Sequence, residues 1–332
     1  ALRQRVAEPR NAATVALLRA GSGPRPGPEV YLLRRQTSMA FAAGMSVFPG
    51  GGVDERDFDS AVAWAGPSPA EWAGQLGVDD ALARALVCAA VRETFEESGV
   101  LLAGPDGSSV VADTTTADWE ADRVALEGRE LSLTDLLSGR GLVLRTDLLG
   151  AWSGWLTPVF EPRRYRTWFF VAELPPGQVT RDVSSEASHV AWLPASAAVA
   201  AADADEMLML PPTYLTCLEL SGFADPDAAV VASRGRSVEM FMPEVVEVEG
   251  PDGAPFTTLS MPARYEPILD AHLAESIWTV VVYHNSLREL GRTITIARDD
   301  IPAHLEAVAT DPGRVRRVTD QDVVELTSNV PA

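Results

Sequence analysis

The stretch VRETFEESGV, Val91 to Val100, decides the fold and the function of this chain. The ten residues that lead into it, ALARALVCAA, are rich in Ala and Leu and lack Gly and Pro, which predicts a helix. Because residues three and four apart share a helix face, Glu93, Glu96 and Glu97 point the same way, and Arg92 can reach Glu96. Like charges on one face repel. A divalent cation with oxygen ligands would offset that repulsion, whereas a solvated acidic helix end is the plainer interpretation.

A second motif, FPGG at Phe48 to Gly51, stands upstream of this helix. Together the two stretches resemble the signature of the Nudix hydrolases, G(x)5E(x)7REUxEExGU, in which U is aliphatic. The second half of this box matches at Arg92, Glu93, Glu96, Glu97, Gly99 and Val100. Two departures stand out. Thr94 replaces an aliphatic residue, and Arg84 stands where the pattern has Glu, eight residues before Arg92.

The spacing between Gly51 and Arg92 is far longer than the box allows, and residues 53–79 are interpreted as an insertion inside it. Within the insertion, SPAEW predicts a helix start, with Ser68 as its N-cap. Trp64 and Trp72 suggest that the insertion packs on the rest of the chain. The alternative is that the insertion is a helical addition to the fold with no role in substrate binding.

The resemblance implies an α/β fold, the Nudix α/β/α sandwich with a mixed central sheet. We expect a Nudix domain over residues 1–205, with a helical elaboration over about 104–150. Residues 206–332 form a C-terminal extension, expected as a dimerisation lobe or a substrate-lining lobe. Its later strand candidates are residues 276–283 and 292–298. A homodimer is an expectation from the superfamily and not from particular residues.

The composition excludes several classes of partner. The formal net charge of −20 argues against binding of DNA or RNA, which needs a basic surface. No apolar run reaches the length of a membrane span, so no membrane partner is expected. The chain contains no Lys, which excludes a lysine Schiff base and a P-loop. The two cysteines, Cys88 and Cys217, and the absence of a secretory apolar core favour a reducing cytoplasm.

Candidate metal ligands follow from the box. Glu93, Glu96 and Glu97 suit Mg²⁺ or Mn²⁺, which favour oxygen ligands. The resemblance implies that Arg92 orients a carboxylate and that Glu93 or Glu97 acts in catalysis. Glu186 is a further candidate ligand or general base, with a surface carboxylate as the alternative.

Candidate substrate contacts are arginines, because Arg is a planar, bidentate partner for phosphate. Arg163, Arg164 and Arg166 form the densest basic cluster, and Arg34 and Arg35 close a predicted strand. A solvated strand edge explains these arginines almost as well. The resemblance adds Gly50 and Gly51, whose turn brings the backbone beside the metal helix.

A narrower likeness covers roughly residues 10–265 and is to the Nudix branch related to coenzyme A diphosphatases. It rests on four segments, namely LLRRQTSMAFAAGMSVFPGGGVDERD, the long insertion in the box, WLTPVFEPRRYRTWFFVAELP and the LPPT of Leu210 to Thr213. The likeness implies hydrolysis of a diphosphate linkage in a nucleoside diphosphate derivative, with CoA or acyl-CoA giving 3′,5′-ADP and a phosphopantetheine. ADP-ribose, NADH and dinucleoside polyphosphates remain open as substrates. So does a non-catalytic Nudix-like binding protein.

Overall fold

The computed structural model describes residues 7–21, 27–36, 42–185, 187–249 and 255–273. The chain divides into two compact units, Ala1–Pro243 and Glu244–Ala332. The expected domain boundary after residue 205 stays a prediction, although the contacts place the division further along the chain. The predicted strands at 276–283 and 292–298 lie outside the described residues, as does Glu186.

The first unit is built on a mixed sheet with the strand order β10-β2-β1-β9-β8-β11. Two short strands extend it, since β3 pairs with β2 and β4 pairs with β1. The β1–β9 and β8–β11 pairs are parallel, and the other pairs of this sheet are antiparallel. The strands are β1 Arg10–Ala20, β2 Pro28–Arg35, β3 Ser46–Val47, β4 Gly50–Gly52, β5 Trp64–Ala65, β6 Ala103–Gly104, β7 Val143–Arg145, β8 Leu149–Leu156, β9 Tyr165–Glu173, β10 Ala187–Pro194 and β11 Met240–Phe241.

Helices cover both faces of this sheet. They are α1 Pro69–Leu76, α2 Asp80–Ser98, α3 Ala117–Glu127, α4 Leu133–Gly139, α5 Ala195–Asp203, α6 Pro211–Leu220 and α7 Pro226–Ser233. Alternate residues of β1 face opposite sides, so Val15 and Leu17 join the core with α2. On the other face, Gly150 of β8 lies against Ser233 of α7. The α/β sandwich with a mixed sheet is therefore confirmed.

The helix α2 carries the acidic stretch, and both of its ends are capped. The Asp79 side chain accepts a hydrogen bond from the Leu82 N–H at 2.9 Å. At the other end Gly99 adopts φ 74°, and its N–H donates to the Phe95 carbonyl. A left-handed residue of this kind is usually Gly, because Gly has no Cβ to clash with the helix. The caps fix where the carboxylate face begins and ends.

The insertion packs against the rest of the first unit. Ser68 and Glu71 form the expected capping box at the start of α1. Trp72 is 1% exposed and meets Phe170 of the central sheet edge-on, with ring centroids 5.9 Å apart. The guanidinium of Arg84, on α2, lies over the Trp64 ring at 5.3 Å. Both tryptophans therefore stabilise the fold.

Replacing Trp72 with Ala is expected to lower the free energy of unfolding by about 3–5 kcal/mol, the usual range for a buried aromatic residue. The cause is a cavity between α1 and the sheet. Urea denaturation measures the loss. Phe160→Ala is the control, because Phe160 is 42% exposed and should change stability little. Equal stability of the two variants would contradict the packing of the insertion.

The expected helical elaboration at 104–150 contains two helices, α3 and α4, but it also contains strands. β7 joins β5 and β6 in a small second sheet, and the central strand β8 begins at Leu149. The sequence analysis missed β8 because its residues, LGAWSGWL, carry small residues and no alternating polar pattern. β8 is buried on both faces, so alternation was not required.

In the second unit the described residues form a hairpin, β12 Val245–Glu249 with β13 Pro255–Leu259, and the helix α8 Glu266–Leu273. Cys88 and Cys217 are both buried and reduced. Over the residues that the structure describes, no helix is both long and apolar enough to cross a bilayer.

Candidate active site

The predicted carboxylates lie on one face of α2, grouped around Arg92. The Arg92 Nη1 donates to Glu93 Oε1 at 2.8 Å and to Glu96 Oε2 at 3.2 Å. Arg92 is 7% exposed and Glu96 is 9% exposed, so solvent screens these contacts little. The structure thus brings three of the predicted site residues into direct contact.

Asp57 is a site residue that the sequence analysis missed. The Arg92 Nε donates to Asp57 Oδ1 at 3.0 Å, and its Nη2 donates to Asp57 Oδ2 at 2.9 Å. This is the two-point geometry in which Arg binds a carboxylate most strongly. Asp57 lies in a 3-10 helix, Glu55–Phe58, and is 3% exposed. The carboxylate that appeared to be absent from the box is therefore supplied by Asp57.

A signal for Asp57 was present in the sequence. It stands at the sixth position after Gly51, where the box has its first Glu. The interpretation of residues 53–79 as the insertion placed Asp57 inside it. The contacts instead put the extra residues after Asp57, between the 3-10 helix and α2. The box is thus continuous from Gly51 to Asp57 and resumes at Arg92.

The glycine-rich turn lies directly against the carboxylate face. The Gly50 N–H donates to Glu97 Oε2 at 2.8 Å, and the Gly52 carbonyl accepts from Arg92 Nη2 at 2.9 Å. A Cβ on Gly51 would lie 2.4 Å from Glu93 Oε1, closer than any side chain could approach. Glycine is required here because the backbone must come this close to the carboxylates. The two halves of the box therefore meet in space.

The electrostatics of this cluster are unbalanced. Arg92, Asp57, Glu93, Glu96 and Glu97 together carry a formal charge of −3 when all are ionised. Burial raises the pKa of Glu93 to about 7, and the neighbouring Glu96 charge adds to that rise. Burial likewise raises the pKa of Glu96. A bound cation would offset this excess of negative charge.

The donor set fits a hard divalent cation. Its members are carboxylates, which Mg²⁺ and Mn²⁺ prefer over nitrogen or sulfur. Among the residues that the structure describes, no three carboxylate, imidazole or thiol groups are close enough together to bind one metal ion. Glu93 and Glu96 face Arg92, and Glu97 faces the Gly50 N–H. A cation would share these oxygens with their present donors.

A shallow cleft lies beside Glu97. It is lined by Leu33, Arg35, Val47, Glu97, Ser184 and Ala187. One predicted arginine, Arg35, therefore shares a cleft with a predicted metal ligand. Arg34, the preceding residue on β2, is exposed and is not among the lining residues.

The arginine cluster at 163–166 divides into three different environments. Arg164 is buried, and its Nε and Nη1 donate to the carbonyls of Thr157 and Ala7 at 3.0 and 3.1 Å. These contacts tie down the loop between β8 and β9, so Arg164 is not placed to clamp a phosphate. Arg163 is exposed, and Arg166 is 41% exposed with Glu8 at 3.8 Å.

Arg166, Arg35 and the glycine turn share one end of the central sheet. On β1, Asn11 pairs with Arg166 and Ala12–Thr14 pair with the turn of β4. The antiparallel β2 ends at the same level with Arg35. Side chains at this end of the sheet can contribute to one site.

Comparisons with known proteins agree with this geometry. Residues 72–220 match the family described as the NUDT19 Nudix domain. The chain is 26% identical over 262 residues to the acyl-coenzyme A diphosphatase NUDT19 of Xenopus laevis, which covers 67% of this chain and 68% of that protein. The chicken (Gallus gallus) protein of the same name is 27% identical over 278 residues, covering 69% and 72%. Nudix hydrolase 7 of Caenorhabditis elegans is 29% identical over 198 residues, covering 60% and 57%.

A solved structure shares the fold. The NUDIX hydrolase from Alicyclobacillus acidocaldarius is 26% identical, with a TM-score of 0.58, and covers 70% of this chain and 98% of that one. The sheet and the carboxylate helix are those of the Nudix fold, and the chain is similar in sequence and structure to Nudix hydrolases. The frog and chicken relatives that it resembles are both named acyl-coenzyme A diphosphatases. The chain spans 57% of the length of the C. elegans relative.

Proposed function

We propose that this hydrolase uses Mg²⁺ or Mn²⁺ to cleave the diphosphate linkage of CoA or an acyl-CoA, giving 3′,5′-ADP and a phosphopantetheine. The proposal is carried by one observation. A largely buried cluster with a formal charge of −3 lies beside a cleft that contains Arg35. Such a cluster can accept a divalent cation, and the arginine offers a partner for phosphate.

Glu93, Glu96 and Glu97 would hold the cation, and Glu186 stays a predicted ligand. When bound, a divalent cation neutralises the phosphate oxygens and lowers the pKa of water. Asp57 and Arg92 hold Glu93 and Glu96 in place through the contacts described above. Glu93 is also a candidate general base, since it lies on the carboxylate face beside Arg92, and burial raises its pKa above the usual range of a glutamate. Glu186 remains the other candidate.

The substrate is an anion, whereas the chain carries a net charge of −20. Long-range repulsion therefore opposes binding, and affinity must come from local positive charge. Arg35 in the cleft and Arg166 at the same end of the sheet are the candidates for that charge. Arg163 stays a prediction. The choice of CoA is supported by the names of the frog and chicken relatives, which are both acyl-coenzyme A diphosphatases.

A panel of diphosphates tests the proposal. CoA, acetyl-CoA, ADP-ribose, NADH and a dinucleoside polyphosphate are incubated with the protein and either Mg²⁺ or Mn²⁺, and the products are identified by mass. We expect 3′,5′-ADP from CoA and the highest kcat/KM for CoA or acetyl-CoA. Faster cleavage of ADP-ribose or NADH would reject the CoA assignment while leaving the diphosphatase chemistry. Chelation with EDTA should abolish turnover.

Replacing Arg35 with Gln is expected to raise the KM for CoA by about tenfold, the effect of losing one charge-assisted contact of about 1.4 kcal/mol. kcat should change less, since the carboxylates are untouched. Arg34→Gln separates the two candidates on β2, because neighbouring residues of a strand face opposite sides. An equal rise in KM for both variants, or a rise for Arg34→Gln alone, would remove Arg35 from the site.

A non-catalytic binding protein is the second candidate function. It predicts that CoA binds by calorimetry while no substrate of the panel is cleaved with either cation. The retention of Arg92, Glu93, Glu96 and Glu97 argues against it, because a binding role does not need this set. A homodimer and a cytoplasmic location stay predictions.

A further inference from the structure

The last turn of α2 is held by residues from outside the helix. A helix leaves its last four carbonyls without intrahelical partners. Here the Arg123 Nη1 donates to the Glu96 carbonyl at 2.7 Å, and the Arg181 N–H donates to the Ser98 carbonyl at 2.9 Å. The Thr114 hydroxyl donates to the Gly99 carbonyl at 2.7 Å. This turn carries Glu96 and Glu97.

Arg123 is the member of this set that binds the turn through a charged side chain. It lies on α3 and is 4% exposed. Its guanidinium also donates to Glu120 Oε1 at 2.8 Å and to Glu127 Oε2 at 2.9 Å. The two acidic partners fix the guanidinium on α3, so the bond to Glu96 ties α2 to α3. A cation at a helix C-terminus also interacts favourably with the helix dipole.

The same part of the chain holds the segment that carries Asp57. The Arg56 Nη1 donates to the carbonyls of Arg129 and Leu131 at 3.0 and 3.1 Å. Arg56 and Asp57 are neighbours in one 3-10 helix. Residues 117–131, called here the brace, therefore contact both segments that supply carboxylates to the site.

We propose that the brace positions the catalytic carboxylates, and that Arg123 is its principal positioning residue. The proposal rests on the function proposed above. The hydrogen bonds of Arg123 go to Glu96, Glu120 and Glu127, which do not line the cleft, so Arg123 acts through the backbone at Glu96. Metal ligands must be held to within about half an ångström, and their supporting contacts set that precision. Without the bond from Arg123, the last turn of α2 would open more often and would carry Glu96 and Glu97 with it.

Hydrogen exchange of the metal-free protein tests the brace directly. Arg123→Gln removes the charge while keeping a similar shape. We expect amide exchange over residues 95–99 to accelerate by about tenfold or more, with the sheet unchanged, because local opening governs exchange at a helix end. Arg123→Lys keeps the charge with one donor group and should show a smaller increase.

Arg140→Gln is the matched control. Arg140 pairs with Asp118 and Asp122 of α3, and its guanidinium lies 3.6 Å from the centroid of the Trp119 ring. Like Arg123, Arg140 pairs with two acidic residues of α3, but it reaches α2 only through the Trp119 ring, which packs edge-on against Phe95. The control therefore removes a charged contact to α3 without removing a hydrogen bond to the α2 backbone. Equal exchange over residues 95–99 in Arg123→Gln, Arg140→Gln and the wild type would overturn the proposal. If Arg123→Gln does not fold, amide exchange over residues 95–99 in Arg123→Lys is compared with that in Arg140→Gln and the wild type.

Kinetics give the second readout. Arg123→Gln should lower kcat by about 10–100-fold, the usual cost of losing a supporting contact, and leave KM for CoA within about twofold. The cation concentration for half-activation should rise, and Arg123→Lys should restore part of both. Unchanged kcat and cation dependence would overturn the positioning role. The exchange experiment contains neither metal nor substrate. It therefore tests whether the brace holds the last turn of α2 even if the wild type cleaves no diphosphate.

Discussion

Replacing Glu97 with Gln is expected to lower kcat for the best diphosphate substrate by about 100-fold or more while the protein remains folded. The loss of a contact that only supports a ligand costs about 10–100-fold, and Glu97 is a proposed ligand itself. The fold should survive because Gln has nearly the same volume and keeps an oxygen that can accept from the Gly50 N–H. Steady-state kinetics with saturating Mg²⁺ measure the effect.

Glu55→Gln is the control for this experiment. Glu55 is an exposed glutamate of the 3-10 helix that carries Asp57, so it makes the same change in charge near the site without altering the cleft. We expect wild-type kinetics from it. Thermal unfolding of both variants should resemble that of the wild type. Glu97→Gln with near wild-type activity in Mg²⁺ would end the assignment of the carboxylate face as a metal site.

The catalytic helix was predictable from its sequence because local rules determine it. Ala and Leu favour the helix, Asp79 and Gly99 cap its ends, and the spacing of three and four residues places the glutamates on one face. None of these rules depends on a distant part of the chain. The structure therefore agrees with the sequence analysis at each of these points.

The pairing of Asp57 with Arg92 could not be found by the same reasoning. Arg92 lies 35 residues beyond Asp57, and Asp stands where the pattern has Glu. The contact depends on how the chain after Asp57 leaves the site and returns to it through α1. A pattern that assumes a fixed spacing fails there. The spacing from Gly51 to Asp57 still fits the pattern, because the glycine turn and the 3-10 helix are neighbours in the sequence.

The arginines show a second limit of prediction from sequence, namely which members of a basic cluster are exposed. Arg163 and Arg164 are adjacent and chemically identical, yet one is exposed and the other is buried against the carbonyls of Thr157 and Ala7. A basic cluster in a sequence says nothing about which side chain faces a loop. The same applies to Arg123, which looks like a surface residue of an amphipathic helix. Its role depends on α2, which lies elsewhere in the sequence.

Replacing Asp57 with Asn should both destabilise the protein and slow catalysis. Removing one partner of a buried ion pair costs about 3–5 kcal/mol, because the other charge is left without its full set of partners. An opposing effect is the relief of repulsion among the carboxylates. The two contacts of Arg92, at 2.9 and 3.0 Å in a nearly water-free position, should outweigh that relief. We also expect kcat to fall by about 10–100-fold.

Two further variants make the test specific. Asp59→Asn changes an exposed aspartate two residues away and should leave both properties unchanged. Asp57→Glu keeps the carboxylate and installs the residue of the superfamily pattern. It should keep kcat within about tenfold, although the extra methylene in a buried position costs about 1–3 kcal/mol. Urea denaturation and kcat are measured on all three. If Asp57→Asn behaved like Asp59→Asn, Arg92 would not need this carboxylate, and the box would lack its first acidic residue after all.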